Sequence, residues 1–284
     1  MKNLLKSLGV FFLTTNSIYR DKIRMMVLCL LLPIIVSAQD TIDRGNYFIA
    51  ISHDGNIHDK DDFIASALNI AMLAEVGLWD KVVHFEYSNH IWDENPASVK
   101  EMQISVRGAC ERWGVDTNRI FEVRVKEQFA AAKENFKKAA QKAKDAGAIL
   151  YYACGGPMEV PYQMLENLSP ELRKVVFVIS HGNWNNEHAG KMHGGRNWDD
   201  LIKIAGGYKM IANQNGQYFN NPPANWKWLE EKGGRYAWLY SRNPFAEKFD
   251  PSDAGMTYYI ITGRGNDQPK REDIEPLFRG TEKK

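Results

Sequence analysis

Five short apolar runs, at residues 47–51, 82–87, 120–125, 148–154 and 175–180, alternate with stretches of helical spacing at 63–76, 97–113, 129–146 and 158–168. That alternation constrains the fold more than any other feature. A strand can pair in parallel with its successor only after a crossover, and a helix usually supplies it. The spacing therefore predicts an α/β fold, a mostly parallel Rossmann-like sheet with helices on both faces, in a single domain over residues 39–284. Ligands of such sheets bind beyond the carboxyl ends of the strands. The loops after Ile51, Tyr87, Cys154 and Ser180 are accordingly the places to search, and they are rich in Gly, His and Asn. Beyond residue 205 the pattern loosens: residues 208–212 and 258–262 read as strands, and 219–238 is aromatic-rich around Pro222-Pro223. The lysines between Lys133 and Lys144 read as a solvated helix face.

Residues 1–38 differ in kind. Lys22 and Arg24 precede an apolar run from Met25 to Val36, and Val36-Ser37-Ala38 places small residues where a signal peptidase cuts. The run contains Pro33 and falls short of the roughly 20 residues a membrane span needs. The expectation is an exported protein, periplasmic or secreted, without a stable span after cleavage. The whole chain has 36 basic and 35 acidic residues, and the leader holds five of the former and one of the latter. Subtracting them leaves 31 against 34, a net charge near −3. Such a balance gives no platform for nucleic-acid phosphates. Of three cysteines, Cys29 leaves with the leader, and Cys110 and Cys154 either pair or serve as small buried residues. The sequence does not fix an oligomeric state, and an oligomer is compatible with it.

The chemistry concentrates in one loop, from His53 to Asp62, where Asp54, Asp59, Asp61 and Asp62 share ten residues with His53 and His58. Crowded carboxylates raise one another's pKa, and a divalent ion is the simplest way to keep all of them ionised. Oxygen donors without thiolates favour calcium or magnesium over zinc. An EF-hand is excluded, since its sixth position would be Asp59 and its twelfth Ala65. A zinc site from His53, His58 and an aspartate has the right composition but no known ligand spacing. Helix capping would need only one of the four acids.

An apolar strand, an aspartate, a short loop and then Asp61-Asp62 opening a helix resembles the calcium-binding signature of nucleoside hydrolases and their divergent secreted relatives. The match departs at Ile57, where the family carries a further aspartate. A second segment, Ile149 to Glu159 with Gly155-Gly156-Pro157, looks like the family's strand that ends in a carbonyl ligand, here on Glu159, with Val160 in place of an asparagine. A third, Val178 to His188, resembles its sugar-contacting segment, and Asp253 resembles its late metal-ligating aspartate.

The resemblance implies a glycosidic-bond hydrolase that takes a small nucleoside-like or sugar substrate. Ca2+ would be held by Asp54, Asp61, Asp62, Asp253 and the Glu159 carbonyl, with Mg2+ or Zn2+ as lesser candidates. Asp54 or Asp61 would accept a proton from the attacking water. Asn56, Asn89, His181, Asn183, Trp184, Asn186, Glu187 and His188 are the expected substrate contacts, since amides, carboxylates and an aromatic face suit a polyhydroxylated ligand. His58, His90, His181 and His188 are candidate acids for the leaving group. Trp79, Trp92, Trp184 and the 226–238 segment offer aromatic faces. The alternative from another class is a non-catalytic carbohydrate-binding protein that keeps the metal pocket.

Overall fold

The computed structural model describes residues 45–55, 60–216, 218–219, 221–244 and 247–278. The expected leader and Asn56, Ile57, His58 and Asp59 lie outside these residues. Six strands form one all-parallel sheet: β1 (Tyr47–His53), β2 (Val82–Tyr87), β3 (Ile120–Glu122), β4 (Ile149–Cys154), β5 (Val176–His181) and β6 (Gly207–Ile211). Their order is β3-β2-β1-β4-β5-β6. The molecule is thus a Rossmann-like α/β domain, as the alternation predicts. The sheet grows outward from β1 through β2 to β3, then resumes on the other side of β1 with β4. This reversal parts the loops after β1 and β4 and opens a crevice between them.

Parallel strands covered on both sides must be apolar on both faces, and they are. With a period of two, Ile49, Ile51, Phe85, Tyr151, Ala153 and Ile179 face one core while Ala50, Val83, Leu150, Tyr152 and Cys154 face the other. The first core takes helices α1 (Asp62–Glu75) and α2 (Pro96–Trp113). The second takes α3 (Lys126–Asp145), α4 (Glu159–Glu166), Leu172 of the short α5 (Pro170–Arg173), and α7 (Trp198–Ile204). Between β5 and α7 runs α6 (Asn183–His188), followed by a π-helical turn at Ala189–His193.

Local chemistry sets the helix limits. Asn95 Oδ1 accepts from Ala97 N–H at 2.9 Å, Pro96 supplies a preset φ at the first position, and Gly114 ends α2 in the left-handed region at φ 62°. In α3 the buried residues are Ala132, Phe136, Ala139, Ala140 and Ala143, one stripe at helical spacing. Its lysines lie on the opposite, solvent-facing side, as expected.

Two expectations need correction. Residues 258–262 belong to α10 (Gly255–Thr262), whose residues Gly255 to Ile260 are all buried. A helix enclosed all round loses the polar stripe that would reveal its period, so a short apolar run there reads like a strand. The aromatic-rich segment forms a 3-10 turn at Pro223–Trp226, then α8 (Lys227–Lys232) and α9 (Gly234–Ser241). Trp226 stacks on Phe249 at 4.7 Å and packs with Trp228 and Phe219 inside the first core. Those rings are core. A short α11 (Arg271–Ile274) closes the described chain before a final turn.

Cys110 and Cys154 are free, buried thiols in the two different cores. Burial pushes the Cys110 thiol up to about 12 and that of Cys154 well above its ordinary value, so both are inert packing groups. No helix among the described residues is long and apolar enough to cross a membrane.

Candidate functional site

The site is built at the carboxyl end of β1, in the crevice the sheet order creates. Two neighbouring backbones clamp this strand's exit with three bonds: Asn89 N–H donates to His53 O and Ser88 N–H to Asp54 O, each at 3.0 Å, and Gly155 N–H donates to Ser52 O at 3.0 Å. Asn89 reinforces the clamp from within, its side-chain amide donating to Ser52 Oγ at 2.8 Å and to Gly155 O at 2.6 Å. Asn89 is fully buried, so the expected substrate contact is instead a strut between the β2 and β4 exits.

Gly155-Gly156 lets the β4 exit close over the acids. A Cβ on Gly155 would sit 2.5 Å from Asp253 Oδ2, and one on Gly156 would sit 2.5 Å from Asp54 Cβ. Gly156 also has φ +74°, a conformation costly for any side-chain-bearing residue. The double glycine is therefore a requirement of the site rather than an ordinary turn.

Four aspartates converge here. Asp54 follows β1, with its Oδ1 accepting from Gly55 N–H at 2.8 Å. Asp61 and Asp62 stand at the N-terminus of α1, where the free amides and helix dipole favour negative charge. Asp253 arrives from the far end of the chain in the turn Ser252–Ala254. All four are buried. Donor atoms of His53, Asp62 and Asp253 lie within 4.8 Å of one another, close enough to hold one metal ion.

Two histidines serve the acids. The Nδ1 of His181, at the end of β5, accepts from Gln214 N–H at 3.4 Å, which leaves Nε2 to donate to Asp253 Oδ1 at 2.9 Å. Burial would raise the Asp253 carboxyl, but this bond and the electrostatic pull of His181 and His53 hold it below the usual range. His53 is almost completely buried, with Nδ1 3.7 Å from Asp62 Oδ1. Neither of its ring nitrogens has a hydrogen-bond partner among the described residues. Burial pushes its pKa down, against the opposing pull of Asp253, so the ring stays neutral. A neutral imidazole beside the carboxyl groups of Asp62 and Asp253 is a donor set that fits a divalent ion.

The acids form the floor of a polar cleft of about 560 Å³, a size suited to a small-molecule ligand. His181, Asn183 and Trp184 line it as expected. Trp184, 41% exposed, stands at its rim. Asn186, Glu187 and His188 do not line it: α6 turns them away, and Glu187 pairs with Lys191. Glu159, expected to give its backbone carbonyl, does not line the cleft either. It opens α4, and its carboxylate accepts from Arg196 N–H at 2.7 Å and from the Gln163 side chain at 2.8 Å. Sequence reasoning missed Asn185, Asn213, Asn215, Lys248, Asp250 and Ser252, all of which line the cleft. Asn213 and Asn215 follow β6, so the rule of searching beyond strand ends, applied to that strand, would have found them.

No family model matches this chain. It is 25% identical over 256 residues to an uncharacterized protein, P22, of Formosa agariphila, a match that covers 84% of this chain and 92% of that one. The likeness spans the domain and brings no activity with it.

A second group lies outside the cleft. His90 Nε2 is 3.1 Å from His188 Nε2, and one donor atom each from His90, His188 and His193 fall within 4.8 Å of one another. The His90 pKa is pushed down by burial and by the neighbouring His193. Neither His90 nor His188 therefore reaches the cleft, and His181 alone of the expected acid candidates lines it among the described residues.

Proposed function

We propose that the protein is a calcium-dependent hydrolase of an N-glycosidic bond in a nucleoside-like substrate or of a related glycosidic bond. The observation that carries this reading is the convergence of Asp54, Asp61, Asp62, Asp253 and His181 on one polar cleft at the sheet's reversal point, with His53 within ligand distance of Asp62 and Asp253. Four carboxylates against one imidazole make the donor set predominantly hard, which favours calcium over zinc. A calcium ion there would supply positive charge that orients vicinal sugar hydroxyls and eases ionisation of a nearby water.

The chain's own residues would do the rest. Asp54 or Asp61 accepts the water's proton, and the surrounding negative charge stabilises an oxocarbenium-like transition state. His181 is a positioning residue that fixes Asp253. Asn183, Asn185, Asn213 and Asn215 offer amides to hydroxyl groups, and Trp184 offers a face to a ring. The leader expected at residues 1–38 would place this activity outside the cytoplasm.

The test is hydrolysis of a panel of nucleosides and nitrophenyl glycosides, after chelation and again after calcium is restored. The expected result is turnover that returns with calcium and falls about 10²–10⁴-fold in Asp54→Asn or Asp61→Asn, the usual worth of a proton-transfer group. The exposed Trp184 among amides favours one second reading, a carbohydrate-binding protein without turnover. Saturable, calcium-dependent sugar binding with no hydrolysis across the panel would establish it and overturn the first.

A further inference from the structure

We propose that His90, His188 and His193 form a binding site for a zinc-class divalent ion, separate from the acidic cleft, that clamps the loop after β2 to α6, which carries Trp184, and to the turn that follows it. Three imidazoles with no carboxylate among them are a borderline donor set, suited to zinc, nickel or copper and unsuited to calcium.

The backbone explains how the three meet. His188 ends α6 and His193 ends the π-helical turn that follows, five residues later. A π turn bonds residue i to i+5, which brings side chains at that spacing onto one face, whereas an α-helix would rotate them apart. His193 Cα is followed by Gly194 in the left-handed region at φ 67°, which ends the turn there. His90 comes from the loop after β2 and is 9% exposed.

Tetrahedral Zn–N bonds of about 2.0–2.1 Å place donor nitrogens about 3.3 Å apart. The His90–His188 pair already lies at 3.1 Å, and the exposed His193 needs only a small ring movement. Two tryptophans hold the rings from outside. Trp92 stacks on His193 at 4.2 Å with 9° between planes, and Trp184 stacks on His188 at 3.9 Å. Three protein ligands leave a fourth position for water or a ligand group. Because Trp184 also lines the cleft, an ion here would set the orientation of the cleft's aromatic rim.

The experiment is zinc titration of the untagged full chain against a chromogenic chelator, with copper quenching of tryptophan fluorescence as a second readout. The expected result is one zinc per chain at this site, weakened at least tenfold in His193→Ala and in His188→Gln, since even supporting groups around a zinc are worth about 10–100-fold. Asp62→Asn and Asp253→Asn should leave it unchanged. Copper should quench Trp92 and Trp184 in the wild type and much less in His193→Ala. Absence of micromolar zinc binding would overturn the proposal, as would zinc binding that the aspartate variants abolish and the histidine variants do not. His193 is exposed, so its replacement leaves the core intact and keeps the test readable.

Discussion

His53 shows what the site asks of a single side chain. Its ring is enclosed, neutral and close to two acids, and burial is the main reason its pKa lies below the ordinary 6.5. The unfolded chain regains the ordinary value and binds a proton where the folded one does not, so stability rises with pH across that window. His90 acts in the same direction. In the presence of chelator, the urea midpoint should therefore fall as pH drops from about 7 to 5, the unfolding free energy losing up to about 1.4 kcal/mol per pH unit through His53 and less through His90, which solvent partly screens. Replacing His53 by Gln should flatten that slope. Asp253, held below the usual carboxylate range, keeps its contribution until the pH falls much further. A midpoint that stays level from pH 7 to 5 would contradict this account of both histidines.

The turn after β4 joins local conformation to site geometry. Gly156→Ala should cost roughly 1–2 kcal/mol for the left-handed backbone alone. It should also weaken metal binding, because the new methyl would fall on Asp54. Denaturant unfolding and a calcium titration of the same variant measure the two effects, and unchanged values of both would remove the glycine from the design. The elements themselves were largely legible: β2 runs over Val82–Tyr87 as its apolar run predicts, and α1, α2 and α3 begin and end within three residues of the expected limits. Where legibility failed, tertiary burial had erased the pattern, as in α10. The acids after β1 could be read because four of them crowd into ten residues with one lysine. Asn89 and Glu159 could not be placed, because a polar residue at a strand end or helix start serves the scaffold as readily as the ligand. The facing of α6 decided Asn185 over Asn186, and no periodicity in a six-residue helix with Trp184 as its one apolar side chain announces that.

Across the whole molecule, the sheet order turns a dispersed set of residues into one site. Asp62 and Asp253 lie at opposite ends of the domain's sequence, and only the reversal between β1 and β4 leaves a crevice that both can enter. Burying four carboxylates together lowers stability unless positive charge answers them, and a divalent ion is the most compact way to add it. A bound divalent ion would then stabilise the native state by RT ln(1 + [L]/Kd), about 2.7 kcal/mol at a hundredfold excess over Kd. The most direct measurement is a thermal unfolding series in chelator, Ca2+, Mg2+, Mn2+ and Zn2+, on the wild type and on Asp62→Asn and Asp253→Asn. The site described here predicts a rise of several degrees with calcium in the wild type that both variants lose. An unfolding temperature that none of the four ions shifts, or a calcium shift that both variants keep, would contradict it.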